Sequence, residues 1–180
     1  MPHDTVSPTI RRARPGDVAA LAALKLATFR ETFIEGFRIP YPPADLARFE
    51  KENYSLDKIA GELDDWRHAT WVCEGAGGAL LAYAHCGPCK LPHRDVTDAS
   101  GELYQIYIRK SAQGLGLGRE LLQQSLGWIA RAYPGPQWLG VWSGNLKAQG
   151  FYAAMGFRKV GDYHFMVGTH RDDEYIFRRD

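Results

Sequence analysis

The sequence is poor in cysteine, in long apolar runs and in charge of one sign. Its 180 residues include three cysteines, an odd and small number that argues against a disulfide-built secreted fold. No apolar run approaches the length of a membrane span, and the N-terminal residues lack the pattern of a signal peptide. The formal net charge is +1 with both signs mixed, so nothing indicates a nucleic-acid-binding surface. These absences predict a cytoplasmic protein whose partners include neither a membrane nor a nucleic acid.

The length of the chain predicts one domain that is large enough to bury a hydrophobic core. We expect a flexible N-terminus over residues 1–8 and a single domain over residues 9–180, because no internal repeat or linker divides the chain. The predicted order is a strand, helices, an antiparallel strand pair, then strand–helix–strand–helix and a closing hairpin over residues 157–167 and 175–179. That order indicates an α/β or α+β fold with a mixed sheet.

Glycine, by contrast, is frequent, and three of the 19 glycines alternate with other residues in one informative run. The run follows a β-prone stretch, residues 103–108, and precedes a helix-prone stretch, residues 119–124. A strand that turns on glycines into a helix directs several backbone N–H groups and the positive end of the helix dipole at one point, which makes an anion site. Neither the P-loop pattern nor the dinucleotide-binding fingerprint has this spacing. The run consists of Gln113, Gly114, Leu115, Gly116, Leu117 and Gly118.

A second segment, residues 145–157, has the start and stop signals of a short helix. Asn145 is a suitable N-cap, and Gly156 is a suitable residue just beyond the C-terminus. Gly150 lies inside the predicted helix, where it should cost about 1 kcal/mol relative to alanine.

Taken together, the two segments resemble the GNAT superfamily of acetyl-CoA-dependent N-acetyltransferases. Residues 113–118 match the Gln/Arg-x-x-Gly-x-Gly/Ala pyrophosphate loop of that family, and residues 145–157 match its Asn-x-x-Ala-x-x-Phe-Tyr-x-x-x-Gly-Phe segment. The resemblance implies a single-domain α/β (α+β) fold with a mixed, mostly antiparallel central sheet flanked by helices. Two central strands, residues 103–108 and 137–142, would splay apart around the pantetheine arm. Within the superfamily, residues 102–108 and residues 161–168 look similar to bacterial polyamine and small-amine acetyltransferases.

The resemblance also implies roles for individual residues. Tyr152 matches the tyrosine that protonates the departing sulfur, and Asn145 matches the side chain that bonds the pantetheine arm. The backbone of Ile106 and Ile108 matches the strand that pairs with that arm. The full set expected to bind acetyl-CoA is Ile106, Tyr107, Ile108, Gln113, Gly114, Leu115, Gly116, Leu117, Gly118, Arg119, Asn145, Ala148 and Tyr152.

The general base is left open between several residues. An alkylamine with an ordinary pKa of about 10.4 is mostly protonated at neutral pH, so a proton acceptor is needed. Glu102 begins the motif strand, where many family members place a glutamate that acts through water. It is equally well explained as a solvated acid at a strand end. His85 and Tyr104 are rival bases.

The resemblance implies that an acetyl group moves from acetyl-CoA to a primary amine by direct attack in a ternary complex. The amine would belong to a small molecule such as a polyamine, or to a peptide. We expect its pocket between residues 29–53, residues 86–101 and the closing hairpin. A homodimer is considered as a further assembly. Candidates for binding a cationic acceptor are Glu31, Glu35 and Glu50, although most charged helix residues are simply solvated.

Two other functions compete with this one. Cys86-Gly87-Pro88-Cys89 is identical to the thioredoxin active-site core, which predicts a redox module. Pro92 and a polar loop follow it, however, where a thioredoxin has a helix. A zinc site from Cys86, Cys89, His85 and His93 lacks the usual ligand spacing, so no metal is expected. The other alternative is a regulatory domain that binds CoA without catalysis.

Overall fold

A computed structural model describes residues 7–180, so most of the predicted flexible segment, residues 1–6, lies outside the described residues. Seven strands form one sheet in the order β1-β2-β3-β4-β5-β7-β6. Every neighbouring pair is antiparallel except β4 and β5, which are parallel. The predicted single-domain α/β fold with a mixed, mostly antiparallel sheet is confirmed. The strands are β1 (Thr9–Arg12), β2 (Ala69–Glu74), β3 (Leu80–Pro88), β4 (Gly101–Ile108), β5 (Gln137–Trp142), β6 (Arg158–Val167) and β7 (His170–Arg179).

Helices cover both faces of the sheet. Because side chains alternate along a strand, β2 contributes to two separate cores: Trp71 and Cys73 pack with α4 and α5, whereas Val72 packs with α1 and α3. A π-helical segment, Arg30–Gly36, continues directly from α1. The α-helices are α1 (Val18–Phe29), α2 (Pro43–Asn53), α3 (Leu56–Asp64), α4 (Leu117–Ala132) and α5 (Leu146–Ala154).

The parallel pair at the centre of the sheet is short. β4 and β5 pair only through residues 101–103 and 137–139. Beyond that point β4 stays with β3 as far as Ile108, and β5 stays with β7 as far as Trp142. The two strands therefore diverge, as the family resemblance predicts, and leave a wedge between them.

The last strand differs from the sequence prediction. It begins at His170, five residues before the predicted start at Tyr175. The extra residues pair with β6, and they include Asp172 and Glu174 on one face of the strand. A segment with acidic residues at its inward-facing positions lacks the sequence pattern of a buried strand. The carboxylates are tolerated here because that face of the strand lines a cavity. Within residues 7–180, no helix is both long enough and apolar enough to cross a bilayer.

Candidate active site

One continuous cavity of about 870 Å³ opens where β4 and β5 diverge. It reaches from the glycine loop before α4 to the π-helical segment and α2 on the other side of the sheet. All but one of the residues predicted for the site line this cavity. The exception is Leu115, whose side chain is 62% exposed. The structure thus brings together residues that the chain separates by up to 50 positions, namely Glu102, Ile106, Tyr107, Ile108, Gln113, Gly114, Gly116, Leu117, Gly118, Arg119, Asn145, Ala148 and Tyr152.

The glycine loop has the geometry of an anion site. Gly114 and Gly116 adopt positive φ angles of 85° and 77°, which L-residues with a side chain rarely adopt. Gly116 is the N-cap of α4. The N–H groups of residues 114–118 have no hydrogen-bond acceptor within residues 7–180. Five unpaired donors therefore lie at the positive end of a 16-residue helix.

The wedge between the strands offers a second recognition surface. The backbone groups of residues 104–108 that face β5 have no strand partner, and one of them, the carbonyl of Ile108, accepts a hydrogen bond from Gln113 Nε2 at 3.3 Å. The remaining groups are free to pair with an extended, amide-containing molecule in the way a further strand would. The wedge and the loop together fit a ligand with an amide-bearing arm at one end and a phosphate at the other.

The predicted short helix, α5, places Tyr152 at the wedge. Asn145 caps the helix by accepting the Ala148 N–H at 3.0 Å, and Gly156 ends it with a φ of 90°. Tyr152 is 8% exposed and packs against Phe157, yet within residues 7–180 its hydroxyl has no hydrogen-bond partner. Burial raises the pKa of Tyr152 above its ordinary value. The hydroxyl therefore keeps its proton at neutral pH and faces the cavity.

Glu102 is buried, which excludes the solvated acid considered from the sequence. Its side chain is 8% exposed, and Oε2 accepts the Lys90 N–H at 2.7 Å. Burial raises the pKa of Glu102 to about 7, and the nearby charge of Glu174 acts in the same direction. A carboxyl group with this pKa exchanges its proton near physiological pH, which is what general-base catalysis requires.

The two rival bases are less suited to proton transfer. His85 is buried, its Nδ1 lies 2.8 Å from Thr70 Oγ1, and burial lowers its pKa well below the ordinary value. Burial raises the pKa of Tyr104, and its hydroxyl already donates to the carbonyl of Pro88. Tyr104 therefore holds its proton, and His85 binds one only weakly.

The three early glutamates are already paired with cations. Glu31 lies 2.8 Å from Arg109, Glu35 lies 3.0 Å from Lys110, and Glu50 lies 2.5 Å from Arg30. Of the three, Glu31 alone lines the cavity. These pairs leave the carboxylates less available for a cationic acceptor than the sequence suggested.

Sequence reasoning missed three other carboxylates in the cavity, Glu62 on α3, which pairs with Lys25 at 2.5 Å, and Asp172 and Glu174 on β7. Asp172 accepts a hydrogen bond from the Tyr41 hydroxyl at 2.6 Å, and Glu174 accepts one from the Tyr163 hydroxyl at 2.5 Å. Burial raises the pKa of Glu174. The spacing of two positions between the β7 carboxylates, which puts both on one strand face, is the signal that could have found that pair.

Comparison with known proteins identifies the family to which this chain belongs. The model of the Acetyltransferase (GNAT) family matches residues 18–157. The chain belongs to the GNAT acetyltransferase family. It is accordingly an acyl-CoA-dependent N-acetyltransferase that uses acetyl-CoA.

Relatives agree with this assignment. An uncharacterized N-acetyltransferase of Mycobacterium tuberculosis is 30% identical over 148 residues, covering 80% of this chain and 90% of the relative. One from Lactobacillus delbrueckii subsp. lactis is 27% identical over 154 residues, covering 86% and 88%. Among solved structures, the PaiA N-acetyltransferase of Thermoplasma acidophilum in complex with coenzyme A has a similar fold. Its TM-score is 0.73 at 16% identity, covering 97% of this chain and 99% of that one.

The cysteine pair of this GNAT protein lacks the setting of a redox site. Cys86 lies within β3, and its thiol donates to the Ala69 carbonyl at 3.6 Å. Burial raises the pKa of both Cys86 and Cys89 to about 12, whereas a redox pair needs a lowered thiol pKa. No helix begins at the pair. Within the described part of the chain, no group of three or more His, Cys, Asp or Glu side chains is placed to hold a metal ion.

We expect Gly116→Val to weaken acetyl-CoA binding at least about tenfold, because a branched side chain would intrude on the unpaired N–H groups. Gly77→Val is the matched control. Gly77 also has a positive φ, 71°, with open space around its Cβ position, but it lies in the turn between β2 and β3. Both substitutions should cost about 1–2 kcal/mol of stability. Calorimetric titration with acetyl-CoA should separate them, and equal affinity in wild type and Gly116→Val would contradict the assignment.

Proposed function

We propose that this protein transfers an acetyl group from acetyl-CoA to the primary amine of a small, cationic acceptor, by direct attack in a ternary complex. The observation that carries the proposal is the presence in one cavity of a buried carboxyl group with a pKa near 7, Glu102, and a protonated hydroxyl without a partner, Tyr152. An acceptor amine must lose a proton before it attacks, and a departing thiolate gains one. The two groups fit these opposite needs.

Binding of acetyl-CoA is assigned to the loop, the wedge and α5. The N–H groups of residues 114–118 would receive the pyrophosphate, with Gln113 and Arg119 at the edges of the loop. The backbone groups of Ile106 and the N–H of Ile108, which face β5, would pair with the pantetheine arm, and Tyr107, whose backbone groups face β3, would line the cavity beside it. Asn145 and Ala148 would border that arm from α5. This arrangement supports a thioester placed at the cavity side of Tyr152.

The proton balance of the reaction then follows. Glu102 takes a proton from the acceptor's ammonium group, directly or through water, and the neutral nitrogen attacks the acetyl carbonyl carbon. The carbon–sulfur bond breaks, and Tyr152 gives its proton to the sulfur. The second proton released by the nitrogen as the amide forms returns to the Tyr152 oxygen. The products are the acetylated amine and CoA, and Glu102 releases the first proton to solvent before the next turnover.

The acceptor side of the cavity favours a small molecule over a protein segment. Aromatic rings from α1, the π-helical segment, α2 and the connections that follow them surround it. The Asp45 carboxylate holds α2 against the β6–β7 turn by accepting a hydrogen bond from the Thr169 N–H at 2.9 Å. Phe49 on α2 also packs against Phe165 on β6, with ring centroids 5.9 Å apart. We take these contacts as support for an acceptor that is smaller than a protein segment. The rings are those of Phe29, Phe33, Phe37, Tyr41, Phe49 and Tyr54.

The alternatives receive less support. The raised pKa values of Cys86 and Cys89 oppose a thiol–disulfide module. A regulatory domain that only binds CoA would not need Glu102 and Tyr152 in one cavity. A homodimer and a cytoplasmic location stay predictions, which light scattering and cell fractionation would test.

The first test is turnover of acetyl-CoA with a panel of amines. The panel comprises polyamines, amino acids, aminoglycosides and a lysine-containing peptide. We expect small cationic amines to have a kcat/KM well above that of the peptide. Mass spectrometry should find the acetyl group on the acceptor nitrogen. Preference for the peptide would contradict the small-molecule acceptor, and an absence of acetylated product with every amine would contradict the function.

The pH dependence of the reaction tests Glu102. A base with a pKa of about 7 is protonated below that pH, so kcat/KM should rise with pH and level off above about 7. The ammonium form of an alkylamine, with a pKa of about 10.4, titrates far above this range. Glu102→Gln should lose the rise centred near pH 7 and lower kcat by about 10²–10⁴-fold above it. If kcat/KM of Glu102→Gln still rises near pH 7, a group other than Glu102 titrates there.

The acid role predicts a specific loss in Tyr152→Phe. The variant keeps the ring and its packing, so affinity for acetyl-CoA should stay within about twofold, while kcat falls by about 10²–10⁴-fold. Tyr133→Phe is the matched control, because it removes a hydroxyl that donates to the Arg67 carbonyl outside the cavity. The control should keep wild-type kcat. A Tyr152→Phe enzyme with wild-type kcat across the pH range would show that the hydroxyl is not the acid.

A further inference from the structure

We propose that Glu174, held in place by Tyr163 above Gly140, binds the acceptor's ammonium group and positions it between β5 and β4 for attack. This inference rests on the proposed function, because it names the acceptor-binding residue of the same cavity.

The first observation is the position of the carboxylate. Glu174 on β7 is the register partner of Trp142 on β5, so it lies where β5 has already left β4. It lines the cavity together with Glu102 and Tyr152. Its charge raises the pKa of both of these groups.

The second observation is a space that only a glycine provides. A Cβ added to Gly140 would overlap the Tyr163 hydroxyl and would lie 3.1 Å from Glu174 Oε2. The Tyr163–Glu174 pair therefore rests directly on the β5 backbone. A side chain at position 140 would displace the pair from the wedge, so this arrangement depends on a residue that has no side chain.

The third observation is that the Glu174 carboxylate has no cationic partner within residues 7–180. Glu174 accepts one hydrogen bond, from Tyr163, at 2.5 Å, and within residues 7–180 no Lys, Arg or His side chain forms an ion pair with it. Buried carboxylates are normally paired. Burial and the charge of Asp172 both raise the pKa of Glu174, so binding of a cation would relieve both costs. An ammonium group carries the charge and the three donors needed.

The two carboxylates, Glu102 and Glu174, then have separate roles. Glu102 reaches the wedge from the start of β4, and Glu174 reaches it from β7 across Gly140. We assign Glu174 to binding the ammonium and Glu102 to removing its proton. Tyr163 is a positioning residue, because it acts through the Glu174 carboxylate.

The test compares a cationic acceptor with one that is already neutral. Kinetics with 1,4-diaminobutane and with O-methylhydroxylamine are measured at about pH 8.5, where Glu102 is ionised and an alkylamine is still ammonium. Glu174→Gln keeps the shape of the side chain and its acceptor oxygen for Tyr163. We expect KM for the diamine to rise about 10- to 100-fold, while KM for the neutral acceptor and the affinity for acetyl-CoA change by less than about twofold.

Three further variants sharpen the result. Tyr163→Phe and Gly140→Ala should raise KM for the diamine in the same selective way by loosening or displacing the carboxylate. Asp173→Asn is the matched control on the same strand, since Asp173 is exposed and pairs with His164 at 3.0 Å. It should behave as wild type. Glu174→Asp, which keeps the charge, should retain part of the selectivity for the cationic acceptor.

The outcomes separate this inference from the function it rests on. Equal effects of Glu174→Gln on both acceptors, or no effect on either, would overturn the role of Glu174 and leave acetyl transfer intact. If the wild type acetylates no amine, the proposed function fails. The role of Glu174 is then decided by NMR line broadening of 1,4-diaminobutane with the CoA-bound protein, and equal broadening with wild type and Glu174→Gln would overturn it.

Discussion

The divergence of β4 from β5 is the constraint on which the rest of the structure depends. A sheet normally satisfies its backbone groups by continuous pairing, and here the central pair stops after three residues on each strand. The backbone groups that lose their partners remain at the centre of the protein. The sheet can keep them exposed because β3 and β7 hold the two diverging strands from outside. The wedge is thus a candidate binding site made of the same hydrogen-bonding groups that build the sheet.

Each element around the wedge adds one chemical property. The glycine loop adds donors, because positive φ angles at Gly114 and Gly116 direct N–H groups away from the helix that follows. Helix α5 adds a hydroxyl whose proton is retained by burial. The start of β4 and the face of β7 add two carboxyl groups whose pKa values burial raises, that of Glu102 to about 7. An acetyl transfer uses these properties in sequence, and none of the four elements alone provides them all.

The acidic groups show how burial controls their roles. Glu31, Glu35 and Glu50 have cationic partners, and these ion pairs occupy their carboxylates. Glu102 and Glu174 have no such partner among the described residues, and desolvation is the first cause of their raised pKa values. The same residue type thus serves as structural support on one side of the cavity and as a candidate for chemistry on the other.

The sequence by itself determined the local parts of this protein. The glycine run, Asn145 and Gly156 act over a few residues through positive φ angles and helix capping, so their positions were readable without the fold. Tertiary structure alone decided which carboxyl groups are buried, because desolvation of Glu102 depends on strands far away in the chain. It also decided where β7 begins. The inward-facing carboxylates of Asp172 and Glu174 are atypical of a buried strand, and only the cavity that they face explains them. The pairing of Tyr163 with Glu174 above Gly140 joins three strands, and no local pattern could have specified it.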